Sequence, residues 1–260
     1  MHLSNAIDNC ILVSSNSIYD ELNKINWAIT DKANLILNQF HPSHKLHNIS
    51  SATHFINNSI LNTAQVLDFV KNHKTKFNKI IYTSSSSVYG QNQLCNEIDN
   101  LAPINLYASL KLANEYLVSK FCNDAKIEFT IARVFNMYGG NDQFSFISKL
   151  ISAIKNNTEI DLINNGISIR DFIHIDDVVN SYKVILSSKE VPVINVASGH
   201  GTSINSILIF LKENGFIVKF NSIARDEIKS SIADNSILMK LHGSYNFYSL
   251  EDYLIKSLNK

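Results

Sequence analysis

Two short segments hold residue types that could do chemistry together. YASLK places Tyr107 and Lys111 four apart, and Tyr107 follows Ser85, the centre of the hydroxyl run TSSSS, by 22 residues. A spacing of four is about one helical turn, so the phenol and the ammonium share a helix face. A cation beside a phenol stabilises the phenolate and lowers a pKa that is otherwise about 10. A tyrosine so tuned can take a proton from a sugar hydroxyl, or return one, near neutral pH. A serine hydroxyl alongside can hydrogen-bond the same oxygen as it changes between alcohol and ketone. Each element also has a plain structural reading. With ten tyrosines and twenty lysines such a pair arises by chance, and Tyr116–Lys120 repeats it in the same segment. A serine run at a strand end is often only a turn.

The surrounding elements must place these groups. Short β-branched apolar runs at 11–14, 34–37, 79–83, 127–134 and 192–197 read as buried strands. Segments of helical spacing lie between and after them: Ile56 to Leu67, Leu110 to Phe121, 146–155, 178–186, 204–212 and 249–258. Strands alternating with helices predict an α/β fold, a parallel sheet with helices on both faces. Ligands of such sheets bind beyond the carboxyl ends of the strands. The strand at 79–83 runs straight into the hydroxyl cluster at 83–87.

Composition bounds the rest. The 260 residues are 45% hydrophobic, enough for one large domain or a domain with a lobe. Lys+Arg and Asp+Glu are both 23, which favours neither nucleic acid nor an anionic membrane. No apolar run approaches the ~20 residues of a membrane span, and the first ten residues lack the pattern of a signal peptide. Three scattered cysteines, Cys10, Cys95 and Cys122, suit a reducing cytoplasm. The chain has three arginines, Arg133, Arg170 and Arg225, each in a distinct block. In a lysine-rich protein this selectivity suggests guanidinium forks for phosphate. The alternative is a structural pair, as Arg170 beside Asp171 or Arg225 beside Asp226.

The motifs IIYTSSSSVYG, YASLKLANEYL, RVFNMYGG, RDFIHIDDVV, INVASGHGTSI and DNSILMKLHGS occur in one order. From about residue 33 onward that order resembles the extended short-chain dehydrogenase/reductase superfamily. The likeness is to its nucleotide-sugar branch, the UDP-glucose 4-epimerases and the 4-keto-6-deoxy-sugar reductases of the CDP-abequose synthase type. The resemblance implies a Rossmann-like doubly wound sheet, residues 1–139 plus 170–198, and a small substrate lobe, 140–169 plus 199–260. It implies Ser85, Tyr107 and Lys111 as catalytic residues. NAD or NADP would be held by Tyr107, Lys111, Phe135 and Asn58, and a nucleotide-diphosphate sugar by Asn136, Arg170 and Arg225. It also implies a homodimer through helices 56–72 and 107–122. Asp176 and Asp177 resemble a metal pair, but are expected to cap the helix 178–186; no metal is expected. The family's 4,6-dehydratases carry Asp-Glu where this chain has Ser86-Ser87, which argues against dehydration.

One family feature is missing. The fingerprint G-x-x-G-x-x-G lets backbone amides approach a dinucleotide's pyrophosphate, yet no glycine precedes Gly90. Residues 35–43 resemble the family's fourth strand and its exit loop, and 11–25 its third strand and short helix. On that alignment the chain starts after the family's first two strands, leaving a sheet edge and a core face for other residues or a partner to cover. Read instead with 11–14 as first strand and 26–31 as second, the intervening residues are too few for a crossover helix. His41, His44, His47 and His54 follow the affected strand and read as solvated surface. Three functions fit these residues: an NAD-dependent C4 epimerase of a nucleotide sugar, an NAD(P)H-dependent reductase of a 4-keto-6-deoxy sugar nucleotide, and a non-catalytic relative that binds a nucleotide sugar or a partner.

Overall fold

The structure, a computed structural model, describes residues 6–7, 9–13, 18–27, 32–38 and 52–259. Helix α1 (Ile18–Lys24) has Asp20 and Glu21 in its first turn and Lys24 in its last, matching the helix dipole. Strand β1 (Ala33–Leu37) is followed by α2 (Ala52–Ile56), which passes through a π turn at Asn57–Leu61 into α3 (Asn62–Asn72). Strand β2 (Phe77–Ser85) ends in a 3₁₀ turn, Ser86–Tyr89. After β3 (Leu94–Cys95) comes the 20-residue helix α4 (Leu106–Ala125), started by the Asn105 side chain, which accepts from the amide of Ala108 at 2.9 Å. Strands β4 (Glu128–Val134) and β5 (Asn136–Tyr138) follow, then α5 (Phe146–Asn156), β6 (Glu159–Ile163) and β7 (Ile169–His174). The remainder is α6 (Ile175–Ser187), β8 (Val193–Val196), β9 (Gly201–Ser203), α7 (Ile204–Glu213), β10 (Lys219–Ile223), β11 (Ser230–Ala233), α8 (Ser236–His242) and α9 (Leu250–Leu258).

Strands β1, β2, β4 and β8 form one parallel sheet in the order β1-β2-β4-β8. Central strands of such a sheet are covered on both faces, which is why β2 and β4 read as nearly continuous apolar runs. One face packs on α1, α3 and α4 through Leu22, Val66, Phe69, Ile80, Tyr82 and Val118. The other packs on α6 and α8 through Ile81, Ala132, Val178, Ile185 and Leu238. Strands β3, β11, β7 and β5 make a second sheet with β9 antiparallel to β7, and β6 pairs with β10. Helices α5, α7 and α9 share a separate core around Tyr138, Leu150, Leu211 and Leu254. The α/β class and the parallel central sheet are as the sequence predicts.

The N-terminal run differs from expectation. Residues 11–13 form no strand: Ile11 and Leu12 are each 64% exposed, and only Val13 packs on the core. An apolar run becomes a strand only where a neighbour accepts its hydrogen bonds, and none of the described residues does so here. Ser14, the histidines at 41–47 and most of the alternative second strand lie outside the described residues, as does the side chain of His54. The core face expected to lie bare is covered by α1 and by Trp27, whose ring lies 5.7 Å from Phe69 and 5.1 Å from Phe77.

Candidate active site

Ser85 is the last residue of β2, and its hydroxyl accepts from the amide of Ser87 at 3.2 Å and from the Ser87 hydroxyl at 3.0 Å. Ser86 and Ser87 begin the turn that follows. Gly90 ends it at φ +67°, where an added Cβ would lie 2.0 Å from the Ala102 carbonyl oxygen. The first glycine of the chain is thus required by close backbone approach, directly after the serine cluster.

Helix α4 crosses above this strand end. Tyr107, in its first turn, lies close enough to the Ser85 side chain for that hydroxyl to favour its phenolate. The ammonium of Lys111, one turn on, is buried, 5.9 Å from the Tyr107 ring centroid and 5.1 Å from that of Tyr82, and donates to the Thr83 carbonyl at 2.7 Å. Burial pushes Lys111 down to about 7, against the pull of Glu115. Burial likewise holds the Tyr107 phenol above its ordinary value, opposed only by the Ser85 hydroxyl. The expectation that Lys111 lowers the tyrosine pKa is therefore corrected: with both groups buried, desolvation of the phenolate outweighs the neighbouring amine.

A third member of the α4 stripe, Glu115, was not singled out from sequence. It forms a buried ion pair with Arg133 at 2.8 Å and accepts from the Ser84 hydroxyl. Arg133 also donates to Tyr89 Oη at 3.0 Å and to the Glu97 carbonyl at 3.2 Å. Its fork is thus consumed by structure, and the pair fixes α4 against β4. A lone arginine on a strand and an acid at i+8 from Tyr107 were the available signals.

Phe135 lies one residue beyond Val134, the β4 residue in register with Ser85, and is buried against Tyr89. The Asn136 amide donates to the Asp171 carbonyl at 2.9 Å. Asn58 is half-buried on the π turn, which packs on α4. Ser85, Tyr107, Lys111 and Phe135 therefore converge at the carboxyl ends of β2 and β4. The two outer arginines have other partners. Arg170 pairs at 3.3 Å with Glu227 rather than with Asp171, and burial holds it below its ordinary value. Arg225 is exposed, its amide and carbonyl bound by the Asn164 side chain. Asp177 is no helix cap: α6 begins at Ile175 with the His174 ring accepting from the Asp176 amide, and buried Asp177 accepts from the Tyr245 hydroxyl and the Tyr248 amide. Among the described residues no group of three or more His, Cys, Asp or Glu is placed to hold a metal.

The fit to a dinucleotide is divided. The residues for its nicotinamide end are gathered at β2, β4 and α4. The glycine turn for its pyrophosphate has no counterpart in the residues before Gly90, and β1 pairs only with β2 among the described residues.

A parallel doubly wound sheet with a serine, a tyrosine and a buried lysine gathered at its strand ends defines a short-chain dehydrogenase/reductase type of protein. The chain belongs to the NAD dependent epimerase/dehydratase family, whose sequence profile matches residues 6–197. Among curated relatives it is 29% identical to dTDP-D-glucose 4,6-dehydratase of Dictyostelium discoideum over 62% of the chain and 40% of that protein. It is 26% identical to CDP-abequose synthase of Salmonella typhimurium over 77% of the chain and 68% of that protein. GDP-6-deoxy-D-talose 4-dehydrogenase of Aggregatibacter actinomycetemcomitans is 30% identical over 67% of the chain and 62% of its own length. The chain spans about half or less of the first two curated relatives it matches, 40% and 52%. Of solved structures, UDP-glucuronic acid 4-epimerase of Bacillus cereus, in complex with UDP-glucuronic acid and NAD, superposes with a TM-score of 0.74 at 26% identity, covering 82% of this chain and 71% of that one. UDP-N-acetylglucosamine 4-epimerase of Methanobrevibacter ruminantium superposes at 0.77 and 25% identity over 92% and 80%.

Proposed function

We propose that this chain is a nucleotide-sugar oxidoreductase that epimerises the C4 carbon of a nucleotide-diphosphate hexose. The observation that carries the reading is the gathering of Ser85, Tyr107 and buried Lys111, whose ammonium lies 5.9 Å from the Tyr107 ring centroid, at the carboxyl ends of β2 and β4. Tyr107, brought to phenolate once the neighbouring Lys111 is an ammonium, takes the proton of the sugar 4-hydroxyl at its phenolic oxygen and later returns it, while Ser85 holds the sugar oxygen through its change between alcohol and ketone. Lys111 must be an ammonium to assist, so binding of anionic groups nearby has to raise it again from about 7. A nicotinamide dinucleotide, NAD or NADP, would accept and return the hydride, with Tyr107 and Lys111 on its ribose and Phe135 and Asn58 near its ring end. Asn136, Arg170 and Arg225 would contact the substrate diphosphate, with Glu227 displaced from Arg170.

Similarity to CDP-abequose synthase over 77% of the chain favours a second reading, one-way reduction of a 4-keto sugar nucleotide by the same residues. A homodimer through 56–72 and 107–122 would cover Ile56, Leu61 and Tyr116, exposed by 47%, 43% and 65%. No helix among the described residues is long and apolar enough to cross a membrane. The test is incubation with UDP-, dTDP-, GDP- and CDP-hexoses and NAD, with sugar epimers resolved by NMR. Appearance of a C4 epimer that Tyr107→Phe abolishes supports the reading. If only 4-keto sugars are consumed, with NAD(P)H, the second reading replaces it. Neither conversion by folded protein would overturn both.

A further inference from the structure

A cleft of about 560 Å³ lies between the loop after β8 and the segment before α9. None of Ser85, Tyr107, Lys111, Phe135, Asn136, Arg170 or Arg225 lines it. Its size falls within the range of small-molecule sites, and the chemistry of its walls points to one kind of ligand. Phe172, Tyr245, Phe247 and Tyr248 present aromatic surface. Ser198, Thr202 and Asn235 add hydroxyl and amide groups, and Glu251 adds the single acidic group. No lysine or arginine lines the cleft; His200 supplies its one imidazole, against the carboxylate of Glu251, so the cleft lacks the guanidinium or ammonium that a phosphate site uses.

Both walls are held from beneath by carboxylates that are themselves fully buried. Asp177 accepts from the Tyr245 hydroxyl at 2.7 Å and the Tyr248 amide at 3.0 Å, which fixes the aromatic wall. His174 stacks on Tyr248 at 4.6 Å and His242 on Tyr245 at 4.3 Å, so both rings are pinned. Asp171 accepts from the Ser198 hydroxyl at 2.7 Å, the Ser198 amide at 3.0 Å and the Gly199 amide at 2.9 Å, which fixes the facing wall. A buried carboxylate stays in place only where such donors satisfy it. Spending two of them on the walls of one cleft yields pre-organised surfaces, which lowers the ordering cost of binding. Both acids belong to the segment RDFIHIDDVV, and neither is used by the proton transfer at Tyr107.

We propose that this cleft is a second ligand site, for an uncharged pyranose. The apolar face of a sugar ring packs on the exposed tyrosine surface, and its hydroxyls exchange hydrogen bonds with Asn235, Ser198, Thr202 and the Glu251 carboxylate. The carboxylate disfavours anions, so the sugar here carries no phosphate or uronic acid group. The site is separate from the proposed diphosphate contacts and is occupied whether or not Tyr107 is competent.

The test is saturation-transfer NMR and calorimetric titration of the full chain with methyl α-D-glucopyranoside, methyl α-D-galactopyranoside and N-acetylglucosamine, each into the millimolar range. Uridine and UDP serve as controls. Saturable binding of at least one sugar is expected, unaffected by Tyr107→Phe and by excess UDP. Tyr248→Ala, at a side chain that is 55% exposed, should abolish that binding while circular dichroism shows the fold intact. Glu251→Gln, also at an exposed position, should weaken it about fivefold or more through loss of a charged acceptor. No saturation by any of the three sugars overturns the proposal. So does binding that both variants leave unchanged, binding displaced by UDP, or saturation by uridine alone, which would make the cleft a base or nucleotide site.

Discussion

Lys111 gives a quantitative consequence of burying a cation beside two phenols. It is 3% exposed, donates to the Thr83 carbonyl and lies beside the Tyr82 and Tyr107 rings, and burial brings it from 10.5 to about 7. In the unfolded chain the same amine keeps its ordinary value. Between about pH 7 and 10.5 the unfolded state therefore binds one proton more than the folded state, so stability rises with pH in that window. The slope is about 1.4 kcal/mol per pH unit, and the whole window is worth on the order of 5 kcal/mol. Below pH 7 both states are protonated, and the penalty for holding the charge inside is constant. Lys111→Met removes the titrating group while roughly keeping its length. Urea unfolding followed by circular dichroism at pH 7, 8 and 9 gives the free energy of each protein. Wild type minus variant should climb by about 1.4 kcal/mol for each pH unit. Parallel curves would mean that folded Lys111 keeps an ordinary ammonium, and the burial argument would be refuted.

Other consequences are as direct. Tyr107→Phe should abolish turnover without moving the urea midpoint far, whereas Tyr116→Phe, at a side chain 65% exposed, should leave turnover unchanged. Glu115→Ala strands Arg133 inside the protein and should cost about 3–5 kcal/mol in chemical denaturation; a loss under about 1 kcal/mol would show that water reaches the guanidinium. Gly90→Ala combines positive φ with a Cβ at 2.0 Å from a backbone oxygen. It should destabilise by at least about 1–3 kcal/mol, and an unchanged melting temperature would contradict that geometry. Tyr245→Phe takes a donor from buried Asp177 and should cost about 1–3 kcal/mol by urea unfolding.

The central sheet was legible because β2 and β4 are buried on both faces and so consist of long apolar runs. Ser85 and Tyr107 were legible because a strand end and the first turn of a helix have fixed places in such a sheet. The short strands were not: β3 has two residues, β5 and β9 three each, and no period shows over so few. The run at 11–13 shows the converse error, since its apolar residues carried the strand pattern without a partner strand among the described residues. The tyrosine pKa was misjudged for a different reason. Spacing placed the amine beside the phenol correctly, but how much water both groups lose depends on α3, α4 and β2 together, and four residues of sequence do not encode it. Asp177 was misread because adjacent acids before a helix look like caps, while its true partners, Tyr245 and Tyr248, lie some seventy residues on.

The measurement closest to the central claim is dinucleotide binding by the folded chain: acid release of any co-purified nucleotide, then calorimetric titration with NAD, NADH, NADP and NADPH. The oxidoreductase reading predicts saturable binding of at least one of the four, weakened by Lys111→Met through loss of the ribose contact. No saturation in the millimolar range, from protein whose circular dichroism is that of an α/β fold, would contradict it and leave Ser85, Tyr107 and Lys111 without a hydride partner.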